Sequence, residues 1–475
     1  MLFNSLAFFL FLPLVFALYW GAFGRSLRWQ NGFVVAASYL FYGWWEWRFL
    51  ILIAITSAVA YLSGIGLAWR RHRGWVVASV VINVGILGFF KYFDFFQGQV
   101  IELLRLLGFQ AHGWSLAVLL PVGISFYTFQ SLSYTLDVWR GTLKPTRDPV
   151  AFFAFVSFFP QLVAGPIERA ENLLPQFLAP RRFDYAEAVV GCRQMLWGFF
   201  KKVAVADLCA GLANRLLQNP GEMSSVSLAA GLFCFTFQIY GDFSGYSDIA
   251  IGCGRLFGIR LSRNFRAPYF SRDIAEFWRR WHISLTTWFR DYLYIPLGGS
   301  RCGRWQAIRN TFVVFLVSGL WHGANWTFLA WGAFHACCFL PLLLRGTNRR
   351  YLGPVAEGRC LPSVREGWQM GCTFALAALG WLFFRAATLS EAWTWLQKLF
   401  LGFDFSLEPL RRIGYWRVFP AVGLLLICEW GNRTEAFGCA RYPRWRLLRW
   451  LCYLALVAFI FFWLSPPQVF IYFQF

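Results

Sequence analysis

Of the five histidines in this chain of 475 residues, His322 has the most unusual surroundings. It sits in FLVSGLWHGANWTFL, running from Phe315 to Leu329, an apolar stretch in which a polar ring is costly unless it faces a cavity or a partner. Imidazole titrates near neutrality and can take the proton of a hydroxyl, the step that turns an alcohol into an acyl acceptor. The other reading is a structural histidine bonded to a neighbouring helix, and the residues alone leave both open. Gly323 and Ala324 remove bulk beside the ring, so a substrate chain or a helix can approach it. Asn325 falls one turn on, on roughly the same face of a continuing helix. There it would orient the imidazole, bond a carbonyl oxygen or make an interhelical hydrogen bond. His335 follows in WGAFH at an angle that does not share that face, which suits packing or support. His282 stands among arginines, placed to help bind an anionic donor or to cap a surface helix. His72 and His112 have basic or polar loop neighbours and are expected at the surface.

A second polar knot is QIYGDFSGYSD, from Gln238 to Asp248. Asp242 and Asp248 need partners inside so apolar a stretch. Pairing with arginines of the central region is favoured over lining a tunnel. No G-x-S-x-G elbow, Walker loop, G-x-G-x-x-G fingerprint or H-E-x-x-H helix occurs, which removes the common soluble chemistries. The twelve cysteines include adjacent Cys337 and Cys338 but no C-x-x-C pair, so they read as small hydrophobes and no metal site is expected.

The elements that must position these residues are membrane helices. Hydrophobic residues make up 58% of the chain, aromatics 21% and charged residues only 14%, so most of the surface cannot face water. No polar interval is long enough for a separate core, and a single membrane domain over residues 1–475 is expected. The formal charge of +21 is read as loop arginine on the cytoplasmic side. Nucleic-acid binding is not expected, because the aromatics lie in the spans and the arginines between them. The opening MLFNS lacks a basic n-region, and the first apolar segment is expected to remain uncleaved.

Apolar segments fall near residues 3–20, 31–44, 49–69, 75–92, 114–134, 150–167, 226–252, 311–327, 328–344, 370–386, 416–430 and 449–465. About ten to twelve spans are expected, with the short stretches 31–44 and 416–430 re-entrant or tilted. Basic clusters at Arg25 and Arg28, at Arg70, Arg71 and Arg73, at Lys201 and Lys202, and at Arg441, Arg444, Arg446 and Arg449 are assigned to the cytoplasmic side, which puts the N-terminus outside. Between Arg255 and Arg309 lie eleven arginines and three acids with no run long enough to span, the expected cytoplasmic centre. Within it, Ser271 is a candidate N-cap. Phe277 and Trp281, one turn apart, suggest an amphipathic helix on the membrane surface.

Together the motifs resemble the membrane-bound O-acyltransferases. The resemblance is to the bacterial branch that includes the membrane subunit of alginate O-acetylation and the D-alanyl transferase of teichoic acid. It rests on MLFNS at Met1, PVGISFYTFQ at Pro121, FPQLVAGPI at Phe159, GDFSGYSD at Gly241 and the pair Asn264-Phe265. It continues in FWRRWHISL at Phe277, RDYLYIPLGG at Arg290, GLWHGANW at Gly319 and FIYFQF at Phe470. What the resemblance implies is an all-α integral membrane protein: a multi-spanning helical ring with re-entrant and surface helices around a central tunnel. That tunnel would join a cytoplasmic donor side to an external acceptor side. His322 matches the family's principal catalytic histidine, and His282 its second recurrent polar position.

The same resemblance implies no tightly bound cofactor, with acetyl-CoA or another acyl thioester as donor substrate. An arginine-rich cytoplasmic centre would attract such an anion. The acceptor would be an exported polysaccharide such as alginate, reached through a periplasmic acetyltransferase partner, with the chain in the bacterial inner membrane. Delivery of D-alanine to teichoic acid is an alternative within the class. A transporter of lipid-linked sugar or acyl donor is the alternative outside it, disfavoured by the lack of an internal repeat.

Overall fold

In the computed structural model the described residues are 1–110, 120–163, 165–218, 224–301, 303–402, 404–466 and 468–471. His112 and the start of the segment expected at 114–134 lie outside them. Among the described residues every regular element is helical. Among the described residues five helices are long and apolar enough to cross a bilayer: Phe49–Trp69, Arg73–Leu106, Ser225–Leu256, Trp326–Leu344 and Val364–Arg385. The helix Leu6–Gly21 is apolar but shorter.

Several other expected segments break or fall short. The segment 150–167 divides into Pro149–Ser157 and Phe159–Leu162, and 416–430 becomes the short turn Tyr415–Arg417 followed by Val418–Gly431. Local signals explain the breaks. Asp148 caps Pro149–Ser157 by accepting from Ala151 N at 3.0 Å, with proline in the first turn, where its missing N–H costs nothing. At 34 residues, Arg73–Leu106 is about 51 Å long, well beyond the ~30 Å hydrocarbon core. Its exposed Val77, Val81, Val84, Phe89 and Phe93 suit lipid contact.

The chain divides into two compact units, Met1–Gly191 with Cys253–Ser262, and Cys192–Gly252 with Arg263–Phe475. In the first, Asn31 donates to Phe177 O at 2.7 Å and accepts from Arg181 at 2.5 Å, so a polar side chain is satisfied where no water is needed. Tyr19 donates to Phe257 O at 2.9 Å, tying the first helix to the segment 253–262.

The second unit holds the histidines 282, 322 and 335. Helices Arg304–His322 and Trp326–Leu344 form a close antiparallel pair. Glycine permits it: a Cβ at Gly319 would overlap the carbonyl oxygen of Phe328, and one at Gly332 that of Phe315. Small residues at such a crossing let backbones touch. Gly319→Ala is therefore expected to lower stability by about 1–3 kcal/mol, read as a lower unfolding temperature in detergent. Gly85→Ala, on a helix face with nothing within 4 Å of the new methyl, is the control. Equal unfolding temperatures for the two variants would remove the close-packing account.

A π-helical stretch, Phe200–Ala206, follows Phe199. Its wide turn carries Lys201 and Lys202, both buried. These lysines are not the loop cluster expected from the sequence. Lys202 lies 2.8 Å from Asp242 and 2.9 Å from Asp207, and Lys201 lies 2.5 Å from Asp248. Asp242 and Asp248 are thus paired as structural carboxylates, but by lysines rather than by central arginines. Nearby, Gly198 and Gly245 let two backbones approach so closely that a Cβ on either would crowd the other's carbonyl.

Candidate active site

His322 is the last residue of Arg304–His322, because Gly323 turns extended at φ −168° and ψ 157°. The break removes the continuous helix that would have put Asn325 on the same face. Instead Asn325 caps the next helix, accepting from Thr327 N at 3.1 Å while its Nδ2 donates to Ala387 O at 2.9 Å. Its amide therefore serves backbone groups on both sides, and it does not orient the imidazole by helical spacing. The space left by Gly323 is filled by the ring of Phe328, from within this chain.

The His322 ring is buried at 4% exposure, with Trp321, Trp331 and Phe384 centred 4.8, 5.1 and 5.2 Å away. Trp331 also lies 5.1 Å from His335, so one indole separates the two histidines. Neither ring nitrogen of His335 has a hydrogen-bond partner among the described residues, and its edge faces Gly380, where a Cβ would collide with Nε2. That is a packing role in an aromatic cage with Trp278 and Trp331, in line with its separate helical face.

His282 is fully buried between helices Ile274–Arg280 and Ile283–Phe289, with a left-handed backbone at φ 42° and ψ 55°. Its Nδ1 lies 3.0 Å from Asn264 Oδ1. Phe243, Phe265 and Trp321 surround the ring at 4.5, 6.3 and 5.9 Å. Burial holds its imidazole well below the ordinary titration range, because the charged form is poorly solvated there. Trp321 therefore borders both His282 and His322, and folding gathers the two around one indole.

The helix expected on the membrane surface is Ile274–Arg280, and it is almost wholly buried. Asp273, not Ser271, is its cap, accepting from Glu276 N at 2.7 Å. Phe277 and Trp281 do fall one turn apart, but they stack on each other at 5.5 Å inside the unit. Glu276 reaches Arg272 at 2.9 Å and Arg280 at 2.6 Å, so two arginines of the basic centre are spent on a buried carboxylate. Such a pairing offsets the desolvation of both charges. His72 is exposed, as expected, and caps Arg73–Leu106 by accepting from Gly74 N.

Three features were not read from the sequence. Asn264 stood only as part of a two-residue match, although an uncharged amide in an arginine-rich stretch is itself a signal of a specific bond. The lysine pairs with Asp242 and Asp248 were hidden because these two carboxylates are distant in the chain. Glu429, buried and accepting from Tyr240 at 2.5 Å, was masked by its apolar segment.

The family model of the membrane-bound O-acyltransferases (MBOAT) matches residues 146–350, which contain His282, His322, Asn325 and Asn264. The probable alginate O-acetylase of Pseudomonas aeruginosa is 41% identical over 420 residues, covering 87% of this chain and 77% of that protein. The peptidoglycan O-acetyltransferase of Helicobacter pylori is 33% identical, covering 82% of this chain and 78% of its own. The teichoic acid D-alanyltransferase of Bacillus subtilis is 28% identical over 45% of this chain and 57% of its own. Identity of this extent, together with helices long and apolar enough to cross a membrane, places the chain in the membrane-bound O-acyltransferase family as a multi-pass membrane acyltransferase.

Proposed function

We propose that the chain takes an acetyl group from a cytoplasmic acyl thioester, acetyl-CoA or a related donor, and moves it across the bacterial inner membrane for O-acetylation of an exported polysaccharide such as alginate. A periplasmic acetyltransferase partner completes delivery to the sugar. The observation that carries the reading is the buried His322 ring, at the broken end of its helix and sharing Trp321 with His282, within the region matched by the family. Relatives named for acetyl transfer cover 82% and 87% of the chain, whereas the D-alanyl relative covers 45%. That favours acetyl over D-alanyl.

In this mechanism an imidazole nitrogen of His322 takes the proton of the acceptor hydroxyl as its oxygen attacks the thioester carbonyl. The new C–O ester bond forms, the C–S bond breaks, and the proton passes to the departing thiolate. A dry aromatic surround strengthens the electrostatics of the step. The assignment is tested by the base-labile ester content of the exported polymer in a strain lacking this chain, with and without its return. Acetate should disappear and reappear with the chain. Loss of D-alanine ester instead would transfer the reading to teichoic acid chemistry, and an unchanged ester content would end it.

A further inference from the structure

His282 is one of three non-glycine residues at positive φ among the described residues, with Ala267 and Ala356. A left-handed backbone is strained for a residue with a Cβ and persists only where its surroundings over-determine it. Here the determinant is Asn264. Its backbone oxygen accepts from Ile283 N at 2.9 Å. Its side-chain Oδ1 accepts from Ser284 N at 3.3 Å and Ser284 Oγ at 2.9 Å. The Nδ2 end points the other way, to Ser247 Oγ at 3.2 Å. Asn264 and His282 are both buried.

This arrangement fixes more than the turn. A backbone N–H can only donate, so the amide atom facing Ser284 N must be oxygen, whatever the usual ambiguity of an amide flip. An amide oxygen can only accept, so the His282 Nδ1 that faces it at 3.0 Å carries the proton. A neutral imidazole has one N–H, and Nε2 is then left with the lone pair. We propose that Asn264 is a positioning residue for acyl transfer: it locks His282 in the Nδ1–H form, so that Nε2 accepts a hydrogen bond from a substrate O–H or N–H. The lock also bars neutral His282 from donating to the thioester carbonyl oxygen, so the stabiliser of the developing oxyanion lies elsewhere. The proposal rests on the acyl-transfer reading above for its catalytic consequence, but the tautomer itself does not.

Several charged groups near this site are engaged with one another or with backbone carbonyls. On the helix of Phe243, Asp242 and Asp248 are held by Lys202 and Lys201. Beside Asn264, Arg263 donates to the carbonyls of Phe265 and Glu435, and Arg280 pairs with Glu276. Beyond Trp321 stands His322, itself titratable.

Two experiments test the lock. Solid-state nitrogen-15 spectra of histidine-labelled full-length protein in membranes, with the His282 signals found by loss in His282→Gln, read the tautomer without any substrate. A protonated Nδ1 and a bare Nε2 are expected in the wild type, and a mixture of the two forms in Asn264→Leu. A protonated Nε2 in the wild type overturns the proposal. The second measures the pH profile of acyl transfer from labelled acetyl-CoA in membranes of matched protein content. Asn264→Asp keeps the acceptor and adds a negative charge beside the ring, which raises the His282 pKa. His282 is then protonated, and its acceptor lost, at higher pH, so the acid limb should move upward. Asn264→Leu should lose about 10–100-fold in kcat with KM little changed.

If Asn264→Asp instead gains rate at low pH, His282 works as a donor and the proposal fails. If Asp and Leu variants fall equally with the limb unmoved, Asn264 only braces the turn, and it fails again. His322→Asn in the same membranes separates the two readings. An active His322→Asn beside a shifted Asn264→Asp limb removes His322 from the chemistry and leaves the lock standing. An inactive His322→Asn beside an unmoved limb removes the lock alone.

Discussion

His322→Asn is expected to lower acetyl transfer by about 10²–10⁴-fold, the usual contribution of a positioned general base, while the protein accumulates in membranes at the wild-type level. Asparagine is chosen over alanine for a physical reason. His322 packs against Trp321, Trp331 and Phe384, and truncation to a methyl would open a cavity whose cost of a few kcal/mol would confuse instability with lost chemistry. An amide retains much of the volume and a hydrogen-bonding edge but cannot take a proton near neutrality. Polymer ester content and membrane abundance are measured together. Full acetylation with His322→Asn would make the ring structural and reopen the search for the base among the other buried polar groups. A variant that fails to accumulate would be read against Gly319→Ala, which perturbs the same helix pair without touching the imidazole.

Lys202→Met should have the largest effect on stability. Its side chain is 1% exposed, and the ammonium lies between Asp207 and Asp242, at 2.9 and 2.8 Å. Methionine fits the volume but leaves two buried carboxylates without their counter-charge. Breaking one partner from a buried ion pair costs about 3–5 kcal/mol, enough to deplete the folded protein from membranes. The lysine also donates to Gln468 O at 3.1 Å, and Asp242 accepts from Ile471 N at 2.8 Å, so the cluster ties residues 468 and 471 to the helix Ser225–Leu256. Faster proteolysis near residue 468 is expected alongside the loss of abundance. The triple variant Lys202→Met, Asp207→Asn, Asp242→Asn removes all three charges and should recover much of the loss, because neutral groups no longer demand pairing. If Lys202→Met alone accumulates normally, the cluster is dispensable and the anchoring account fails.

The membrane class and the helical nature of the chain were determined by the sequence itself. Hydropathy is a sum over neighbouring residues, and it survives any arrangement of the helices: Phe49–Trp69 and Trp326–Leu344 lie almost where the apolar segments placed them. The choice of His322 also came from local context, an imidazole in an apolar run, supported by its match to a family motif. Where local signals compete, the pattern along the chain does not decide between them. Asp273 outranked Ser271 as a cap because its carboxylate meets the Glu276 N–H, and Gly323 ended a helix that periodicity would have carried on to Asn325.

Tertiary structure alone decided which polar groups meet. Lys201 and Lys202 look like a cytoplasmic cluster until folding turns a π-helical stretch toward Asp242 and Asp248. Asn264 and His282 are 18 residues apart, and only the left-handed turn at His282 brings them to 3.0 Å. His282 and His322 belong to separate motifs, and Trp321 makes them neighbours. The reason is common to all three. Hydrophobic patterning is read along the chain, whereas a buried charge or imidazole is satisfied by whichever group arrives in space, and its partner is fixed by packing.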